Sequence, residues 1–534
     1  MYALSHFGLG LPTASLMSQG GDDRITIDER SGLNSYGCAP SPMTSVMYSS
    51  STASSISSEA FRHVQAIHHA LREKVERSDA QTVYAERLEA IRGRLRRAYG
   101  LADGVDVAFG PSGTDLEYLA LAAALRDAKP VRNLVVEVEE VGSGCQFSQA
   151  GRYFAPRTAQ GKAVTQGDPL PGFAPETIRV QVVRMRSEMG PVQAEAEYLD
   201  ELEAAIDTSL DLGERPLLHV IHRSKTGIVA PDLPGLERLV ARFGGRIDIA
   251  VDACQGRISP AAVRRYLDLG AMVFITGSKF FGAPPFSAFA FVPDGLSARM
   301  IAGEPAQAGL GDFFARSEMP ARWTSCDEVL PRSVNFGMLL RLEAAMFEIQ
   351  RVFALPPSLI DDVIDAFNAA LRDLSHDLPF RLADAATASD VDGHAPNPLD
   401  RKMLHVVEIT MPHPVTGRPL GFLHARTLYH LLYLDISDRF EDPDQILTAS
   451  DICHLGQPVL CLKNAEGESA ATLRFALSAP LISALLGLDA DQLAERFRSD
   501  IERVGEKLRL AASLLDAQPD RVEVIQDRRE TARF

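Results

Sequence analysis

Basic charge is scarce in this chain. Its 534 residues hold 54 Lys+Arg against 71 Asp+Glu, a net charge of −17. A strongly acidic protein is repelled by the nucleic-acid backbone and by an anionic membrane surface, so neither is an expected partner. Cysteine is sparse and scattered: Cys38, Cys145, Cys254, Cys326, Cys453 and Cys461 form no C-x-x-C pair. That spacing excludes a disulfide framework and a zinc site of paired cysteines, and it fits a reducing compartment. No metal site is expected. Long apolar runs are missing too, with no window near the roughly 18 residues a membrane-crossing helix needs. The opening Met-Tyr-Ala-Leu-Ser-His has no basic stretch ahead of an apolar one. The expectation is therefore no signal peptide and a cytoplasmic location.

Two phosphate motifs are absent as well. In His222-Arg223-Ser224-Lys225-Thr226-Gly227, Ser224 stands where a nucleoside-triphosphate loop needs glycine before its lysine. The pairs Gly8/Gly10 and Gly142/Gly144 do not complete G-x-G-x-x-G after a strand, so a dinucleotide fingerprint is excluded.

What is present is ordinary for a globular protein: 46% apolar and 23% charged residues. The length calls for more than one domain, or for one large α/β unit with an appendage. Residues 1–58 are rich in Gly, Ser, Thr and Pro. The run Tyr48–Ser58 alone holds seven serines, and its composition reads as a solvated loop in an N-terminal arm. A helical stripe begins near Ser58 with Phe61, Val64, Ile67 and Leu71. Adjacent His68 and His69 point in different directions and make a poor metal pair.

From about residue 80 to 300, helical and strand patterns alternate, the mark of a mostly parallel sheet. Strand candidates are Val105–Phe109, Asn133–Val138, Ile178–Val183, Leu217–Ile221, Ile247–Val251 and Ala271–Ile275. They are apolar without clean alternation, as strands buried on both faces are. A helix at Asn335–Val352 leads toward a second unit. That unit has strands near Met403–Thr410 and Ala471–Leu477, a helix at Leu423–Leu434, a closing helix from Ala490 and a polar insertion at 383–399. The expected organisation is an arm (1–58), a large α/β domain (59–355) and a smaller C-terminal α/β domain (356–534).

Ligands of open α/β sheets bind beyond the carboxyl ends of the strands, so the residues there carry the functional reading. Val105–Phe109 is followed by Gly110-Pro111-Ser112-Gly113-Thr114-Asp115 and a helix. This is either a phosphate cradle or a plain turn with Thr114 capping the helix. Ile247–Val251 is followed by Asp252. A carboxylate there needs a cationic partner, a protonated ring nitrogen or the neighbouring Arg257. Ala271–Ile275 is followed by Thr276-Gly277-Ser278-Lys279-Phe280-Phe281-Gly282. Lys279 is either a desolvated amine able to attack a carbonyl or a lysine reaching out to solvent.

A phosphate turn, a strand-end Asp and a strand-end Lys 27 residues later form one constellation. The stretch VDACQGR…FITGSKFFG resembles the fold type I pyridoxal-phosphate enzymes, in the class V aminotransferase and cysteine desulfurase branch. The resemblance spans about residues 30–510 and is strongest at 105–116 and 217–292. It implies a mostly parallel, seven-stranded large domain that binds pyridoxal 5'-phosphate, with a smaller C-terminal α/β domain, in a homodimer acting on an amino acid. Lys279 would bind the cofactor as a Schiff base, and Asp252 would face the pyridine nitrogen. Gln255 and Ser224 would lie near the phenolic oxygen. Ser112, Gly113, Thr114, Thr276 and Ser278 would hold the phosphate. In Ala471-Thr472-Leu473-Arg474-Phe475, Arg474 would clamp the substrate carboxylate.

The chain also departs from that pattern. Leu455 stands where desulfurases of the branch carry their nucleophilic cysteine, and Cys453 is two residues away. The usual ring after the strand at 133–138 is replaced by Glu139-Glu140-Val141-Gly142-Ser143-Gly144, leaving Val141, Phe147 or Tyr153 to pack on the cofactor. Ser278 replaces the usual His before the lysine. Aminotransfer is the leading expectation, because Lys279 alone can shuttle the proton it requires. A lyase or an epimerase is the alternative, the latter needing a second acid such as His222, His454 or Tyr153. A non-catalytic regulator on the same fold is the further alternative.

Overall fold

The computed structural model describes residues 8–187, 190–301, 304–383, 397–464 and 466–515. Most of the polar insertion expected at 383–399 therefore lies outside the described residues. Twelve strands are described. They are β1 (Val46–Tyr48), β2 (Asp106–Gly110), β3 (Val131–Val136), β4 (Ile178–Val183), β5 (Arg215–Ile221), β6 (Asp248–Asp252), β7 (Met272–Thr276), β8 (Ala288–Val292), β9 (Phe380–Leu382), β10 (Leu404–Ile409), β11 (Cys453–Leu455) and β12 (Thr472–Ala476).

The described chain forms two compact units. One takes the chain up to Pro42, Ser54–Arg186 and Val192–Ala354; the other takes Met43–Ala53, Ser187–Pro191 and the chain from Leu355 on.

The larger unit is built on a seven-stranded sheet in the order β2-β8-β7-β6-β5-β3-β4. The pairs β3–β4, β3–β5, β5–β6 and β6–β7 are parallel. Only β8 runs against the rest, pairing antiparallel with both β2 and β7. Every residue of β2, β5, β7 and β8 is buried, which is why these strands read as continuous apolar runs. The edge strand β4 is exposed along its middle. Beside the sheet, the helix Gly113–Leu125 is apolar around most of its circumference and almost wholly buried, as a helix enclosed on all sides must be. The helix Phe336–Phe353 starts from Asn335, whose side chain accepts the Met338 N–H.

In the smaller unit a three-stranded antiparallel sheet, β12-β10-β9, is joined by a parallel two-stranded ribbon, β1-β11. The helices Pro357–Leu374 and Ala490–Ser513 pack on each other, and each carries an apolar stripe.

The serine run is a correction. It is not a solvated loop: Ser49, Ser50, Ser51, Ser54 and Ser55 are buried. Hydroxyls make burial of such a run tolerable by meeting backbone groups. Ser49 donates to the Ala53 carbonyl at 2.7 Å and Ser50 to Leu477 at 2.6 Å, and Ser55 accepts the Ala39 N–H at 3.0 Å. On the helix Ser58–Val75, His68 is buried against Thr13 and the Leu9 carbonyl, while exposed His69 faces Glu73.

Among the described residues no helix is long and apolar enough to cross a membrane.

Candidate active site

The carboxyl ends of β2, β6 and β7 meet in the larger unit. β2 ends at Gly110, and Ser112 then caps the helix Gly113–Leu125, donating its backbone N–H to Asp115 at 2.9 Å and its hydroxyl to the same carboxylate. The cap is thus Ser112, not Thr114. Burial pushes the Asp115 carboxyl up to about 7, against the pull of nearby Arg24 and the Ser112 hydrogen bonds. The next two N–H groups, of Gly113 and Thr114, have no acceptor among the described residues. Two free donors at the positive end of a thirteen-residue helix are the elements of an anion site.

Gly113 is required here by packing. A Cβ on it would overlap the Cys254 sulfur, with Thr276 Cγ2 only 3.7 Å away. That crowding packs the helix N-terminus that follows β2 against the ends of β6 and β7. Thr276 donates to the Cys254 carbonyl at 3.1 Å, and its hydroxyl lies 3.2 Å from that of Ser278. Two hydroxyls from the β7 end therefore join the helix N-terminus at one place.

Asp252 closes β6 and is half-buried. One of its oxygens accepts the Cys254 N–H at 2.9 Å. Arg257, the alternative partner, is buried and turns to Gln255, donating to Oε1 at 2.8 Å beneath the Phe280 ring.

Lys279 lies in a turn held from several sides. Gly277 donates to Ser287 at 2.8 Å, Phe280 to Gln255 at 3.2 Å, and Gly282 to the Lys279 carbonyl at 2.9 Å. A side chain at Gly277 would overlap Ala345. Lys279 itself is half-buried, and among the described residues its amine has no hydrogen-bond or ion-pair partner. Its charge acts on the neighbouring Cys254.

Other expected residues are committed elsewhere. Ser224 is buried and donates to Glu140 at 2.6 Å. Tyr153 donates to Asp312 at 2.5 Å, and both it and Phe147 pack on the core around Phe313, while Val141 is buried just after β3. Arg474 belongs to the smaller unit. Buried on β12, it donates to the Gln457 carbonyl at 2.8 Å and to Thr52 Oγ1 at 2.9 Å.

Sequence reading missed Glu140. It follows β3 in a short turn, is buried, and binds Arg186, Ser224 and Thr226. Its partners lie in two segments distant in sequence, after β4 and after β5, and no local pattern marks them.

All six cysteines are buried, and none is in a disulfide. Burial raises the Cys38 and Cys453 thiols to about 12 and the Cys254 and Cys326 thiols above their ordinary range. Thiols held protonated and out of solvent are poor nucleophiles. Alkylation of the native protein by iodoacetamide should therefore label none of them within a time that labels all six after denaturation; fast labelling of Cys453 in the native state would reverse this reading. Among the described residues no group of three or more His, Cys, Asp or Glu could hold a metal ion.

No protein-family model and no curated protein sequence matches the chain. Solved structures do. A NifS-like protein aligns over 85% of this chain and 98% of its own, with a TM-score of 0.50 at 10% identity. The cysteine desulfurase CsdA from Escherichia coli aligns over 88% of this chain and 96% of its own, with a TM-score of 0.50 at 16% identity. At such identities the likeness is one of fold. The sheet order, the lone antiparallel strand and the alignment over most of the chain agree: the chain shares the fold of these structures, the fold type I architecture.

Proposed function

We propose that this chain is a pyridoxal-phosphate-dependent enzyme acting at the α carbon of an amino acid, and that its reaction is aminotransfer. One observation carries the reading. An unpaired lysine amine, a strand-end carboxylate and a helix N-terminus with two free N–H groups follow the carboxyl ends of β7, β6 and β2, on one end of the sheet, with Gly113 packed against Cys254 and Thr276.

The residues fit the group. The N–H groups of Gly113 and Thr114, with the Thr276 and Ser278 hydroxyls, match the donor demand of a phosphate dianion. Ser112 serves them by capping the same turn. Asp252 has an oxygen beyond the one given to Cys254, and would hold a proton at the ring nitrogen. Lys279 would form the covalent link through its amine. Bound there, pyridoxal phosphate supplies an aldehyde for the substrate amine and a ring that takes up the charge left at the α carbon. Lys279 would then move the proton to and from that carbon. Ser224 and Gln255 are proposed to line the ring's phenolic oxygen, and Arg474 to bind the substrate carboxylate through its planar fork. A cytoplasmic homodimer is the proposed form.

Two further observations favour aminotransfer over the alternatives. The groups considered as a second acid for an epimerase are unsuited to it. Burial lowers His222 to about 3 and His454 to about 4, so both are neutral at pH 7 and have no proton of imidazolium type to give, and Tyr153 is spent on Asp312. Persulfide chemistry of the desulfurase kind lacks its thiol, since Leu455 and Cys453 are both buried in β11.

The test is the absorption spectrum of the purified protein supplied with pyridoxal phosphate, before and after borohydride, beside Lys279→Ala. A visible band that borohydride bleaches, altered in the variant, is expected. Turnover should require a keto-acid acceptor with ping-pong kinetics, and Lys279→Ala should reduce it by about 10⁴-fold or more, as loss of a covalent catalyst does. Absence of any band overturns the cofactor reading; release of ammonia without an acceptor makes the enzyme a lyase.

A further inference from the structure

Glu140 makes a denser set of polar contacts than the proposed reaction has yet used. Its Oε2 accepts the Ser224 hydroxyl at 2.6 Å and the Thr226 N–H at 3.0 Å. Its Oε1 accepts the Thr226 hydroxyl at 2.7 Å and Arg186 Nη2 at 2.6 Å. Arg186 closes the ring by donating to Thr226 at 2.9 Å. The Glu140 carbonyl also accepts the Lys225 N–H at 3.3 Å. The turn after β5 is thus tied to Glu140 through its carboxylate and its carbonyl, and it follows Arg223, whose backbone lies in the left-handed region at φ +48°. Such a conformation in a non-glycine residue persists where its surroundings over-determine it.

Charged groups acting on Glu140 include Arg186, from the segment after β4, and Glu137, from its own turn. Burial opposes the charge on Glu140, but Arg186 and the Ser224 and Thr226 hydroxyls outweigh it and hold the carboxyl below its usual range. Glu140 is therefore an acceptor only at neutral pH. Ser224 has a single proton, and the 2.6 Å contact commits it to Glu140.

We propose that Glu140 is a positioning residue that fixes the Ser224–Thr226 turn and keeps the Ser224 proton, so that Ser224 meets the cofactor as a hydrogen-bond acceptor. The proposal rests on the reading of Ser224 as a neighbour of the ring's phenolic oxygen. An acceptor beside that oxygen favours the form that carries a proton there, whereas a donor favours the ionised form. Glu140 thus sets the pH at which the ring of the loaded protein ionises.

The readout is the pH midpoint of the visible band, titrated without substrate. Ser224→Ala leaves the Glu140–Arg186 pair in place and should lower the midpoint, because it removes an acceptor. A midpoint that rises shows Ser224 to be a donor and overturns the proposal, as does one that stays put. Glu140→Gln should release the Ser224 proton toward the ring and lower the midpoint by about one to two pH units. Made in the Ser224→Ala background, the same change should have little further effect. An equal shift in both backgrounds would mean that Glu140 acts through its charge alone, and would overturn the positioning role. If Glu140→Gln does not fold, the sign of the Ser224→Ala shift still decides. A wild type that shows no band at all refutes the cofactor reading itself, a result distinct from each of these.

Discussion

Replacing Asp252 with asparagine should cut turnover about 10²–10³-fold, the size of effect seen when one preorganised electrostatic partner is removed, while the visible band survives. The substitution is close to isosteric. Asparagine can still accept the Cys254 N–H that Asp252 Oδ1 accepts at 2.9 Å, so the end of β6 and the crowded contact with Gly113 stay in place. Only the negative charge is lost, and with it the proposed means of holding a proton at the ring nitrogen. Lys279 is untouched, so the borohydride-sensitive band should form with the same stoichiometry as in the wild type. The comparison of kcat with band intensity separates the two roles. A loss of less than about tenfold would mean that Asp252 is not the ring's partner, because a charge on a half-buried strand end is worth more than that to a developing charge nearby. Loss of the band together with turnover would mean that Asp252 holds the site's structure instead.

Why this constellation could be read from the sequence is a matter of burial. Strands covered on both faces are short apolar runs, and each run that mattered ends in a residue alien to a core: Gly110, Asp252 and the turn before Lys279. The ends were therefore visible to within a residue or so, with β4 found at Ile178–Val183 as expected. β8 was not picked out. It follows β7 without a crossover helix, and Ala288–Val292 lies among other apolar residues with no polar landmark at its far end before Pro293. The strands β1 and β11 have three residues each, too few for any period to show, and they pair between distant parts of the chain. The same pairing explains the error over the serines. Composition marks them as polar, but burial in the folded chain depends on carbonyls such as that of Leu477, 427 residues away from Ser50. Glu140 escaped for the same reason, since Arg186 lies 46 residues on and Ser224 84. Local pattern reports what a segment needs. Which distant group answers that need is decided by topology.

Gly113 offers the other large effect, and one that the structure allows to be reversed. Gly113→Ala places a methyl group against the Cys254 sulfur, with nothing soft between them. Either the helix Gly113–Leu125 backs away from the sheet or Cys254 moves, and the Cys254 N–H holds Asp252. Overpacking of this kind typically costs about 1–3 kcal/mol. If the strain appears at the anion site, the affinity for pyridoxal phosphate should fall about 5- to 150-fold, with a lower Tm of the loaded protein. The decisive variant is the pair Gly113→Ala/Cys254→Ala. Removing the sulfur leaves the new methyl 3.5 Å from the Cys254 Cβ position and 3.7 Å from Thr276 Cγ2, both ordinary contacts. Contacting residues are where substitutions fail to add, so the pair should bind the cofactor within a fewfold of Cys254→Ala alone. Titration of the visible band against added pyridoxal phosphate measures all four members of the cycle. If Gly113→Ala remains crippled without the sulfur, then glycine is needed at 113 for the backbone's approach to the ligand itself. If Gly113→Ala is harmless from the start, the close meeting of the β2 and β6 ends that defines the site is not maintained in solution.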